Sequence, residues 1–90
     1  MNLDQEQLEE IERMAELFFS AAEIASNIDV DPEDLTLLIM ARQGPAYAAY
    51  MRGWLKTDVE LRQCILQSAL NGSSPAQQTM REYQNRARYE

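Results

Sequence analysis

An all-α fold is predicted by three observations. Apolar residues recur at helical spacing in every strong segment. Helix start and stop signals punctuate the chain, and three Gly and three Pro in ninety residues are too few for a turn-rich β fold. We expect a single domain over residues 1–90, built of five helices, with a helix-turn-helix at about 21–42 and a helical hairpin at about 45–85.

The first helix is expected from Asp4 to Phe19. Leu8, Ile11, Ala15 and Phe18 form its apolar stripe, widened by Met14 and Phe19, and Glu and Gln fill the solvent face. Ser20-Ala-Ala-Glu23 has capping-box spacing and opens a short helix from Ala21 to about Asn27. Asp31-Pro32-Glu33-Asp34 is the next start signal: an N-cap, a proline at the first helical position, and acids against the helix dipole. That helix should run to about Arg42 and stop at Gly44, and Gly44-Pro45 should open the next. From Pro45 to Asn71 a broad apolar band continues for about seven turns. Gly53 inside it marks a close helix crossing, and the Thr57–Glu60 spacing allows a kink or break near Lys56–Asp58. Asn71-Gly72 closes this segment and Ser74-Pro75 restarts the chain. A last amphipathic helix follows on Ala76, Met80 and Tyr83, and the tail from Arg86 to Glu90 is expected to fray.

Composition narrows the function classes. No apolar run approaches the ~18 residues of a membrane span. The acidic N-terminus lacks the basic region of a secretory leader, so a cytoplasmic protein without membrane partners is expected. The lone Cys64 has no disulfide partner within the chain and is expected to be a small, partly buried packing residue. The sequence contains no histidine, no Walker loop, no GxGxxG run and no Ser-His-Asp set, so neither a catalytic role nor a cofactor or metal is assigned. Glu9, Glu10, Glu12 and Glu16 are expected on a solvated face rather than around a metal ion.

The charge is uneven. Residues 1–34 carry eleven acidic side chains and one basic, whereas residues 35–90 carry four acidic and seven basic. The overall balance of −7 is opposite to that of most nucleic-acid binders.

Residues 21–40 nevertheless match the helix-turn-helix used to bind DNA. Ile24, Ala25, Ile28, Val30, Leu35 and Leu38 occupy the offsets that lock two helices at a steep crossing. Asp29 stands where the turn usually has glycine, and aspartate tolerates the left-handed conformation. Two ordinary core helices joined by a short loop would produce the same pattern. The start of the second helix offers Asp31, Pro32, Glu33, Thr36 and Leu37, with no Arg, Lys, Asn or Gln to reach a base edge. Thr36, Arg42, Arg52 and Lys56 are the candidate nucleic-acid contacts, gripping phosphate without reading sequence.

The runs Ala22-Glu23-Ile24-Ala25 and Ile28-Asp29-Val30-Asp31-Pro32-Glu33 resemble the N-terminal part of bacteriophage terminase small subunits. So do Ala49-Tyr50-Met51-Arg52-Gly53, Glu60-Leu61-Arg62, and the stretch from Ala69-Leu70-Asn71-Gly72 through Ser73-Ser74-Pro75-Ala76-Gln77. The resemblance covers about residues 16–84. It implies a helix-turn-helix, a long helix, and a short helix after a Gly-Ser-Pro corner. It also implies a non-enzymatic viral DNA-packaging factor with two partners, DNA and a separate large subunit whose ATPase and nuclease it modulates. The acidic recognition helix and the lack of a long C-terminal region depart from the family pattern. The alternative is a protein-interaction or regulatory module whose helix-turn-helix does not bind DNA.

Tyr47, Tyr50 and Trp54 form one stripe of the fourth helix, a candidate core or oligomer seam in preference to a base-stacking ladder. The charge asymmetry favours a head-to-tail homo-oligomer, in which opposite fields meet. A monomer whose halves neutralise each other is the competing state.

Overall fold

The computed structural model describes residues 1–89. It consists of α1 (Gln5–Ala15), α2 (Ala21–Asn27), α3 (Pro32–Met40), α4 (Pro45–Leu70) and α5 (Ser74–Tyr89), with no strand among the described residues. The all-α fold and its five helices are as expected. The chain divides into two compact units, Met1–Thr57 and Asp58–Glu90.

In the first unit, α1 begins at a reciprocal cap. The Asp4 carboxylate accepts the Gln7 N–H at 2.8 Å, and the Gln7 side chain accepts the Asp4 N–H at 2.9 Å. Its end differs from the expectation, since the helix ends at Ala15 with Glu16 as its C-cap rather than at Phe19. Phe18 turns left-handed (φ 62°), and the Phe19 N–H reaches back to the Met14 carbonyl at 3.2 Å. A left-handed backbone is costly for a residue with a Cβ, by roughly 1–2 kcal/mol. The Phe18 ring offsets part of that by lying 5.3 Å from the Trp54 ring, centroid to centroid.

The Ser20 cap forms as expected, with the Glu23 N–H donating to Ser20 Oγ at 3.2 Å and the Ser20 N–H donating to Glu23 at 2.9 Å. Asp31 caps α3 by accepting the Glu33 N–H at 2.8 Å. The last turn of α3 also departs from the expectation. It ends at Met40, and Arg42 (φ 59°), not Gly44, is the first left-handed residue, with its N–H bonded to the Ile39 carbonyl at 3.2 Å.

The core is small. Ile11, Ile24 and Leu35 are its largest fully buried side chains, joined by Met14, Ala15, Ala25, Ala46 and Ala49. Gly53 is buried where α1 and α4 cross. A Cβ there would lie 2.1 Å from the Glu12 carbonyl oxygen, which explains the glycine. The crossing is flanked by ion pairs in matching order along both helices, Glu12 with Arg52 (2.8 Å) and Glu16 with Lys56 (3.5 Å).

The break allowed near Lys56–Asp58 does not occur, and α4 is continuous. The Thr57 hydroxyl donates to the Glu16 carbonyl at the end of α1 instead of capping a new helix. It thereby satisfies a carbonyl that α1 itself leaves open.

In the second unit the later part of α4 pairs antiparallel with α5. Gln77 donates to the Ala69 carbonyl at 3.0 Å, and the Arg62 guanidinium sits 3.9 Å over the Tyr83 ring. Gly72 (φ 101°) makes the corner, with the Ser73 N–H bonded to the Ser68 carbonyl at 3.1 Å. Ser73, one residue before the expected start, caps α5 by accepting the Ala76 N–H at 3.3 Å. Ala76, Met80 and Tyr83 are half-buried, matching the expected stripe. The tail expected to fray continues as helix to Tyr89, and Glu90 lies outside the described residues. Cys64 is exposed, not the partly buried packing residue expected.

Candidate nucleic-acid and protein interface

The α2–α3 pair is held by the residues picked out in the sequence. Ile24, Ala25 and Leu35 are fully buried, and Ile28, Val30 and Leu38 pack around them half-buried. Asp29 is left-handed (φ 59°), and the Val30 N–H closes on the Ala25 carbonyl at 3.0 Å. The aspartate therefore makes the turn that glycine would otherwise make. The Glu23 carboxyl is held below its ordinary value, first by the Ser20 backbone N–H and then by the Ser20 hydroxyl.

With Leu35, Leu38 and Ile39 turned inward, the opposite face of α3 carries Glu33, Thr36, Leu37 and Met40 at helical spacing. Leu37 is 65% exposed and Met40 71%. Ala22, Pro32, Glu33, Thr36 and Leu37 line an open, mainly apolar cleft of about 370 Å³. This pair was not singled out from the sequence, although a signal for it exists: the positions that match the core pattern leave Leu37 and Met40 on the other side of the helix.

The four candidate phosphate contacts do not form one cluster. Thr36 lies in the α2–α3 cleft. Arg42 is exposed just beyond α3 and has no ion-pair partner among the described residues. Arg52 and Lys56 lie on α4, engaged with Glu12 and Glu16. On α1, Glu10 pairs with Arg13, whose hydrogen bond lowers the Glu10 pKa and raises that of Arg13. Of the four glutamates expected on a solvated face, Glu9 is exposed and the other three are half-exposed in ion pairs.

Within the Tyr47–Tyr50–Trp54 stripe, all three rings are half-buried. The Tyr50 hydroxyl donates to the Phe19 carbonyl at 3.4 Å and Trp54 packs on Phe18, so both already serve the first unit. The exposed apolar side chains of α4 instead include Val59, Leu66 and Leu70.

The described residues hold no group of three or more His, Cys, Asp or Glu side chains placed to bind a metal ion, and no helix long and apolar enough to cross a membrane. No family model, curated protein or solved structure matches this chain.

Proposed function

We propose that this chain is a non-enzymatic, DNA-associated factor of phage packaging, similar to a terminase small subunit. It acts by holding DNA phosphates and docking a large packaging subunit inside the host cell. The observation carrying this reading is the helix order. A short-helix pair with a left-handed Asp29 turn is followed by a long helix and then by a corner helix started at Ser73. Contact with DNA would be confined to phosphates, with Arg42 as the unpaired base nearest α3.

Salt titration of duplex affinity tests it. Binding at ~50 mM salt should fall with a log–log slope near −0.9 per phosphate engaged, and Arg42→Ala should reduce that slope by about 1. Undetectable binding at ~50 mM salt removes the DNA role. A second reading, a helix-turn-helix module that binds protein and not DNA, is favoured by the Glu12–Arg52 and Glu16–Lys56 pairs, which occupy two of the candidate phosphate contacts. Self-association belongs to the first reading. Val59, Leu66 and Leu70, spaced seven and four residues apart, give α4 an uncovered apolar stripe for a second copy.

A further inference from the structure

The α2–α3 surface has the wrong chemistry for DNA and a coherent chemistry for something else. Its floor is the cleft of Ala22, Pro32, Thr36 and Leu37, with Met40 one turn beyond. A leucine and a methionine 65% and 71% exposed on one nine-residue helix form a contiguous apolar face. Its rim is anionic. Glu23, Asp29, Asp31, Glu33 and Asp34 are all exposed, and no basic residue occurs between Arg13 and Arg42 to offset them.

We propose that this face is a docking groove for a basic amphipathic helix of another protein, one that inserts an apolar side chain beside Leu37 and sets Lys or Arg over the acidic rim. Charge complementarity selects the partner's sign. The absence of any sheet edge among the described residues removes strand addition and leaves helix-in-groove recognition. The same carboxylates repel phosphate, which argues against the phosphate contact expected at Thr36. A second copy is the poorer occupant, because the apolar stripe of its basic helix α5 (Ala76, Met80, Tyr83) is already half-buried. This inference does not depend on the DNA reading above.

The test uses the full chain and a fluorescein-labelled synthetic helix of ~14 residues, with Leu at helical spacing and Lys/Arg on its flanks, followed by anisotropy. Micromolar binding that weakens with salt is expected. Leu37→Ser should weaken it about tenfold, while its circular dichroism and melting stay unchanged because Leu37 is exposed. Glu33→Gln with Asp34→Asn should weaken binding and flatten its salt dependence. The proposal is overturned by no binding up to ~1 mM peptide. Equal binding of a peptide with Glu in place of its bases, or indifference to Leu37→Ser, also overturns it. Concentration-dependent self-association abolished by Leu37→Ser would assign the face to a second copy. Duplex DNA that loses affinity on the same substitution would assign it to nucleic acid. Duplex affinity measured alone reports on the packaging reading, and its failure leaves this groove standing.

Discussion

Gly53→Ala is expected to destabilise the protein, although the same change in an exposed helix interior is expected to stabilise it by about 1 kcal/mol. The reversal follows from the α1–α4 crossing. The added Cβ would lie 2.1 Å from the Glu12 carbonyl oxygen and 2.9 Å from Ala15 Cβ. The first of these is backbone, so no rotamer change relieves it, and α1 must retreat by about 1 Å to reach tolerable contact. Overpacking of this kind costs typically 1–3 kcal/mol. The retreat also stretches the Thr57 hydroxyl bond to the Glu16 carbonyl, another ~1 kcal/mol. Setting these against the helix-propensity gain leaves a net loss of about 1–3 kcal/mol, each of which lowers the melting temperature of a domain this size by roughly 4–8 °C. Thermal denaturation followed by circular dichroism measures it, with the exposed Gln63→Ala as a control for an alanine placed in α4 away from the crossing. A Gly53→Ala protein as stable as the wild type would refute the close crossing and the account of α1 built on it.

Two further outcomes are expected. The lowered Glu23 pKa contributes stability above its ordinary value of 4.5, and this contribution is lost as pH falls through the lowered folded value. Glu23→Gln should therefore flatten the acid limb of a melting-temperature profile, and an unchanged limb would deny the capping box that role. Multi-angle light scattering should give a mass above 10.4 kDa that falls on Leu66→Ser. A constant 10.4 kDa at all concentrations removes the oligomer.

What could be read from the sequence was mostly local. Ser20 with Glu23, Asp31 with Pro32, and Asn71 with Gly72 each set a helix boundary through neighbours a few residues apart, and each boundary lies within a residue or two of its expected place. Errors arose where a distant partner decided. Phe18 ends α1 early while its ring meets Trp54, and Thr57 leaves α4 unbroken as its hydroxyl finds α1. Cys64 failed for a different reason. At about 100° per residue it lies roughly 140° around the helix from Ala69, the buried residue of α4 in its own unit, and so faces away from it. The candidate site was legible as a motif but not as a surface. The six core positions follow from spacing, whereas the capture of Arg52 and Lys56 by α1 depends on a crossing forty residues away in sequence.

That capture sets two of the candidate phosphate contacts against carboxylates. Arg52 and Lys56 are each 63% exposed at the side chain, and ion pairs this open contribute about 0–1 kcal/mol apiece. A phosphate backbone could displace Glu12 and Glu16 at small cost, so the two glutamates act as competitors for these bases rather than as barriers. Replacing both with glutamine removes two negative charges beside the bases and leaves the backbone crossing at Gly53 untouched. If Arg52 and Lys56 grip phosphate, Glu12→Gln with Glu16→Gln should raise duplex affinity at ~50 mM salt by up to about thirtyfold, as up to ~2 kcal/mol of competition is released. The salt slope should steepen by as much as ~0.9 for each base recruited. The further substitutions Arg52→Gln and Lys56→Gln should then cancel the gain. Stronger binding that survives those substitutions would mean only a general relief of acidic repulsion, and unchanged binding would remove both bases from the nucleic-acid contact and leave Arg42 alone beside α3.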